Sequence, residues 1–272
     1  MNELQKALFE MFIWFHDVCE QHHLRYYMIG GTMLGAIRHK GFIPWDDDID
    51  VGMPRTDYDK LEQILLQNSH ERYVLETPRT NAADYFYPFS KIYDTHTTLV
   101  ENTRTKIKRG IYLDIFPLDG IGCSVEDSRR HYKPIHWKYN LLLTRVTGIR
   151  EGRSWLKNTA VKVSRLVPEK LLNNKTLLLT LERDCRKFSF DDSSWVGNLV
   201  GAWRFREVMP KEFFGEPTLY EFEGQMMYGP QKANEYLTSL YGEWRKLPPK
   251  GKQISHHDFI EFDLEKSYLS NR

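Results

Sequence analysis

Two neighbouring segments constrain this 272-residue chain more than any other feature. An aromatic and β-branched stretch, Leu24 to Ile29, runs into Gly30-Gly31-Thr32, and seventeen residues after Gly31 comes the alternation Asp48-Ile49-Asp50-Val51. The first segment reads as a buried strand that breaks into a tight glycine turn, with Thr32 as N-cap of a short helix through Arg38. Backbone amides at such a helix start form an anion site suited to a phosphate. The second segment places Asp48 and Asp50 on one face of a strand and Ile49 and Val51 on the other, because side chains alternate along extended backbone. Two carboxylates facing one way repel each other unless a cation joins them. Mg²⁺ or Mn²⁺ binds one or two such carboxylates and fills its remaining positions with phosphate and water. A calcium loop fits less well: Asp46, Asp48 and Asp50 have the 1, 3, 5 spacing, but Val51 stands at the sixth position, where the sharp turn needs glycine, and Pro54 follows.

The remaining pattern predicts an α/β chain. Leu4, Leu8, Phe12, Phe15 and Val18 recur at helical spacing over Asn2 to Gln21 and read as a core stripe. Thr56 to Gln67 reads as a second helix with Thr56 as its cap, and Tyr73 to Glu76 and Tyr85 to Tyr93 as strands, the latter carrying Lys91. The run Gly110 to Gly120 is an apolar strand broken by Asp114. A charge among Ile111, Leu113, Ile115 and Phe116 is costly unless it is paired or metal-bound, so Asp114 is a third metal ligand or a base. Asp119, before Gly120, reads as a turn residue. Helical pattern dominates from about Val125 to Phe190, with breaks near Gly148, Gly152 and Pro168. The division expected is a core over 1–124, a basic helical lobe over 125–190, and a C-terminal segment, 191–272, that packs back on the core.

A hydrophobic fraction of 41% and an aromatic fraction of 14% argue against disorder. No apolar run is long enough to span a bilayer and no signal sequence is evident, which predicts a cytoplasmic protein. Cys19, Cys123 and Cys185 are far apart and suggest neither a disulfide framework nor a zinc site. The net charge of +1 hides an asymmetry: Arg129 to Lys187 holds 15 lysines and arginines against 4 acidic residues. Trp137, Leu141, Leu142, Leu143, Trp155, Leu156, Val161 and Val163 are interleaved with those cations. Such a segment suits peripheral contact with an anionic membrane or packing of a solvated helical face on the core. No nucleic-acid-binding motif accompanies it, so nucleic acid is not an expected partner.

The sequence Gly31-Thr32-Met33-Leu34-Gly35-Ala36-Ile37-Arg38-His39-Lys40-Gly41-Phe42-Ile43-Pro44-Trp45-Asp46-Asp47-Asp48-Ile49-Asp50 closely resembles the LicD family, and Gly-Gly-Thr followed by Asp-Ile-Asp is similar to the signature of the wider nucleotidyltransferase superfamily. Gly197 to Trp203, Tyr220 to Gly224, Tyr236 to Trp244 and Leu247-Pro248-Pro249 resemble the family's C-terminal pattern. The resemblance implies a nucleotidyltransferase-like mixed sheet core with flanking helices and a largely helical insertion. It implies transfer of phosphocholine from CDP-choline to a sugar hydroxyl of a teichoic acid or related lipid-linked glycan precursor, with release of CMP, at the inner face of the cell membrane.

In that reading Asp48, Asp50 and Asp114 are the catalytic and Mg²⁺-binding acids, while Gly30, Gly31, Thr32, Arg38 and Lys91 contact phosphates. A quaternary ammonium is best held by aromatic faces, and Trp45, beside the acids, is the first candidate, ahead of Tyr85, Tyr87, Tyr112 and Trp203. Competing functions are transfer of another CDP-linked phospho-alcohol such as ribitol phosphate, attachment of the nucleotide itself, glycosyl transfer through Asp-x-Asp, and a nucleotide-sensing scaffold without turnover.

Overall fold

The computed structural model describes residues 1–80, 85–101, 106–147, 155–164, 166–168, 173–255 and 259–270. In chain order its first half contains α1 (Glu3–Gln21), β1 (Tyr27–Met28), α2 (Gly30–His39), β2 (Asp50–Pro54), α3 (Arg55–Gln67), β3 (Tyr73–Glu76), β4 (Ser90–Asp94), β5 (Thr98–Glu101), β6 (Ile107–Arg109) and β7 (Tyr112–Gly122). Then follow α4 (Val125–Val146), α5 (Trp155–Ser164), α6 (Asn174–Cys185), β8 (Trp195–Gly197), β9 (Val208–Pro210), α7 (Lys211–Phe214), β10 (Thr218–Phe222), β11 (Gln225–Gly229), α8 (Ala233–Tyr241) and β12 (Phe259–Asp263). The expected breaks at Gly148 and Gly152 fall outside the described residues.

The fold is mixed α/β, as expected. Its main sheet runs β1-β2-β7-β4-β3, with β8 joined to β7 and β9 to β8. Among the described residues only the β2–β7 pairing is parallel, and it sets Asp50 directly beside Asp114. On the other side of β7, the antiparallel partner β4 brings Lys91 opposite Asp114. Three functional candidates from sequence-distant segments therefore lie in one row across the sheet. Burial explains why β7 is central: Leu113, Ile115, Leu118 and Ile121 are fully buried, as are Ile49, Val51 and Met53 beside them, and near-continuous apolar runs mark strands covered on both faces.

The predicted stripe of α1 packs on this sheet through Leu8, Phe12 and Phe15, with Leu4 and Val18 at its margins. Asn2 and Gln5 close the helix start with a capping box. Gln5 also donates from Nε2 to the backbone oxygen of Asp46 at 3.0 Å, which ties α1 to the acidic loop. From the other side the β10–β11 hairpin holds that loop, as the Glu223 amide donates to the Lys40 carbonyl at 2.7 Å and the Glu223 carboxylate accepts from the Phe42 amide at 3.0 Å.

A second apolar cluster joins α4 and α6 to the end of β7 through Ile121, Tyr132, Ile135, Leu142, Leu178 and Leu181, together with Leu199, Val200 and Val208. The helical middle is thereby seated on the sheet. Several boundaries differ from the sequence reading. The helix after the glycines starts at Gly30 with Ile29 as N-cap, so Thr32 lies inside its first turn. Likewise α3 begins at Arg55 after Pro54, and Thr56 is not its cap. The strand that carries Lys91 starts at Ser90, five residues later than expected. Asp119 is no turn residue: β7 continues through it, and its carboxylate pairs with Arg55.

Candidate active site

The glycines of α2 are required by contact as well as by conformation. Gly30 has φ +54°, in the left-handed region where a side chain is strained. A Cβ at Gly31 would lie 2.8 Å from Asp46 Oδ2, so the acidic loop presses directly against the helix start. The Gly30 amide donates to the Tyr236 hydroxyl at 3.0 Å. The helix start leaves the amides of Gly31 and Thr32 without intrahelical acceptors. The Thr32 hydroxyl accepts from the Asp50 amide at 2.9 Å. It thus pins the acid-bearing strand to the helix, a role that spacing alone does not reveal.

Asp50 and Asp114 are held by the β2–β7 ladder, extended one step by the Asp114 amide donating to the Ile49 carbonyl at 3.0 Å. Asp46, Asp47 and Asp48 precede them, with carboxylate oxygens that lie within 4.8 Å of one another; among the described residues no other group of three potential metal ligands meets that limit. Burial pushes the Asp50 carboxyl well above the usual carboxylate range, and the charges of Asp48, Asp114 and Asp46 push it further while Lys91 opposes them. Burial raises Asp114 to about 6 against the pull of Lys91. The predicted trio Asp48, Asp50 and Asp114 falls outside that limit. What links the three is charge, since Asp48 and Asp114 raise the proton affinity of Asp50, and Asp48 that of Asp114, and hard anionic oxygens so placed suit a divalent cation of the Mg²⁺ class.

Lys91 is almost fully buried and its Nζ lies 2.7 Å from Asp114 Oδ1 and 3.9 Å from Glu101 Oε1. Its ammonium also sits over the rings of Tyr112, at 3.3 Å, and Tyr87, at 4.4 Å. This is a complete cation box, with aromatic faces and carboxylates, and the protein's own lysine fills it. Arg38 lies at the far end of α2, where its Nε donates to His39 Nε2 at 2.9 Å and its Nη1 to the Trp244 carbonyl at 3.3 Å. Partial burial lowers its proton affinity, while the nearby Tyr241 and Asp46 raise it. Trp45 is partly buried and packs against the main core.

Four residues to which the sequence reading gave no role in the site border the same ground. Tyr236 and Tyr241 come from α8: the Tyr241 hydroxyl would be 3.9 Å from a Cβ at Gly30, which itself would lie 3.3 Å from Asp50 Oδ2. Tyr139 of α4 packs against the second apolar cluster and lies near enough to Glu207 and Asp114 to feel the charge of both. Glu207 accepts from the Trp203 amide at 2.7 Å. No spacing rule connects residues drawn from α4, the turn before β9, and α8.

A mixed sheet carries two acids on adjacent parallel strands beneath a glycine-led helix start, an arrangement of the kind expected of a nucleotidyltransferase-like domain. Comparison with known proteins agrees: the nucleotidyltransferase domain described as LicD/FKTN/FKRP matches residues 23–143. The lipopolysaccharide cholinephosphotransferase LicD of Haemophilus influenzae is 31% identical over 264 residues, which cover 94% of this chain and 96% of that protein. The human ribitol 5-phosphate transferase FKRP is 41% identical over 59 residues, 22% of this chain and 12% of its own length. The chain belongs to the LicD family, and it is a transferase.

Proposed function

We propose that the protein transfers a phosphorylated alcohol, phosphocholine, from CDP-choline to a sugar hydroxyl of a teichoic acid or related lipid-linked glycan precursor, in a Mg²⁺-dependent reaction that releases CMP. The observation that carries this reading is the alignment of Asp50, Asp114 and Lys91 across adjacent strands beside the Gly30-Gly31 helix start. Likeness to a cholinephosphotransferase along nearly the whole chain supports the head group.

Asp48, Asp50 and Asp114 would hold the metal, which supplies charge neutralisation at the donor's pyrophosphate and at the departing CMP. The protein's own residues do the positioning. Amides of Gly31 and Thr32 cradle a donor phosphate, and Arg38 and Lys91 offset its charge. The acceptor oxygen attacks the choline-bearing phosphorus, a new phosphorus–oxygen bond forms, and the bond to CMP breaks. Asp114, raised toward neutrality by burial, takes the hydroxyl proton.

The acceptor is brought by the membrane. Among the described residues no helix is long and apolar enough to cross a membrane, yet Trp137, Trp155, Leu156, Val163 and Leu166 are all more than half exposed within the basic middle segment. Aromatic and aliphatic side chains among cations suit peripheral attachment to the anionic inner leaflet. Ribitol phosphate is the second reading, carried by the shorter likeness to FKRP.

Isothermal titration of CDP-choline, CDP-ribitol and CTP in the presence of Mg²⁺ separates these. CDP-choline is expected to bind at least about tenfold tighter than either competitor, ~1.4 kcal/mol. Equal affinity for all three sinks the choline assignment, and preference for CDP-ribitol replaces it.

A further inference from the structure

We propose that Trp203, Tyr241 and Glu207 form the subsite for the donor's quaternary ammonium group; the inference rests on the phosphocholine reading and names the residues that would recognise the head group. It begins with a carboxylate in an unusual setting. Glu207 ends a short 3₁₀ turn, Arg204–Glu207, that folds its side chain back onto the Trp203 amide and Asn198. Gly201 makes room for it, since a Cβ there would lie 1.9 Å from Glu207 Oε2. The acid is therefore fixed in place.

Its surroundings are aromatic. Tyr132, Tyr139, Tyr236 and Tyr241 all feel its charge. Among the described residues the other influences on Glu207 are burial, the Trp203 amide and Asn198, with no lysine or arginine. Arg204, its near neighbour in the chain, acts instead on Tyr132 and His136 of α4. An anion held among rings without a cation is an incomplete arrangement, and the missing component is a positive charge that needs no hydrogen-bond acceptor.

The position fits the donor. Trp203 packs edge-on against Tyr241, with ring centroids 4.9 Å apart, and remains 44% exposed, so a ligand can reach it. From the other end of Tyr241 the hydroxyl borders Gly30 and Asp50. Trp203 and Glu207 thus stand one aromatic side chain away from where the phosphates would be cradled, in keeping with the two-carbon link between phosphate and ammonium in phosphocholine. The alternative box, around Tyr87 and Tyr112, is already filled by Lys91.

The test is titration of CDP-choline and of CMP, with Mg²⁺, against wild type, Trp203→Ala and Glu207→Gln. Loss of a cation–π partner or of the anion is expected to weaken CDP-choline binding about three- to thirty-fold in each variant. CMP, which lacks the head group, keeps its affinity within about twofold. Trp203 is exposed enough for truncation to spare the fold, which guards against misfolding of the Glu207 variant. Unchanged CDP-choline affinity in both variants, or an equal loss for CMP, overturns the subsite while leaving the phosphocholine reading intact. A wild type that binds CMP but not CDP-choline overturns both.

Discussion

Asp114 and Asp119 lie five residues apart on the same strand, both buried, and each faces a cation, yet their environments are opposite. Asp119 meets Arg55 through two hydrogen bonds, Nε to Oδ1 at 2.8 Å and Nη2 to Oδ2 at 2.5 Å, and Arg186 adds a second favourable charge. Among the described residues Asp114 shares a single lysine with Glu101 and stands against Asp48 and Asp50. The first carboxylate is satisfied by the fold. The second is left with an excess of negative charge that the fold alone does not balance, and such imbalance marks a site waiting for a cationic or phosphate-bearing ligand. Burial of an acid is thus uninformative by itself. What separates structure from function is the charge balance around it.

The contrast can be broken most forcefully at Asp50. Asp50→Asn removes one of the mutually repelling acids, so turnover of CDP-choline should fall by about 10³-fold, several kcal/mol of lost charge stabilisation. The melting temperature without Mg²⁺ should hold or rise, and the stabilisation by added Mg²⁺ expected of wild type should shrink. A variant that melts lower and still turns over sinks the assignment. At the opposite end, Arg55→Met strands Asp119 as an uncompensated buried charge, for a stability loss of about 3–5 kcal/mol in denaturant titration. Activity per folded molecule should survive.

Thr32→Val sharpens the comparison from the helix side. It leaves the Asp50 amide without its acceptor, for an expected cost of about 1–3 kcal/mol, and it loosens Asp50 with a matching drop in Mg²⁺ affinity; an unchanged chemical-denaturation midpoint would remove the hydroxyl's anchoring role. The last effect is read in its pH dependence: burial raises Glu207 from 4.5 to about 7. A carboxyl whose folded value lies above its unfolded value loses stability as pH rises through that interval. Glu207→Gln should therefore gain stability relative to wild type between pH 5 and pH 8. A difference that stays flat across that range contradicts the assignment of a half-buried carboxylate with no cation beside it among the described residues.

Much of this site was legible because its parts are contiguous. Gly30, Gly31, Asp48 and Asp50 fall within one short stretch, and Asp114 is conspicuous as a lone charge in an apolar strand. Other features were hidden for physical reasons. Asp119 precedes glycine and so reads as a turn, and only a tertiary partner, Arg55, makes a buried strand position tolerable for it. Thr32 reads as a cap because threonine favours that position, but its hydroxyl is engaged by a neighbouring strand instead. Tyr85 to Tyr93 carried the right residues for a strand, yet pairing begins only at Ser90 with β7 and at Lys91 with β3. Glu207, Tyr139 and Tyr241 come from three distant elements that are brought together by packing, which no local pattern encodes.

The paired substitution Asp114→Asn and Asp119→Asn tests the central claim most directly, with melting temperature and Mg²⁺-dependent release of CMP from CDP-choline measured on both proteins. The charge-balance account predicts that Asp114→Asn loses turnover with the smaller drop in melting temperature, because Lys91 keeps Glu101 and the rings of Tyr87 and Tyr112 as partners, whereas Asp119→Asn melts lower and keeps turnover per folded molecule. Loss of turnover confined to the Asp119 variant, or equal losses of both properties in the two, would contradict it.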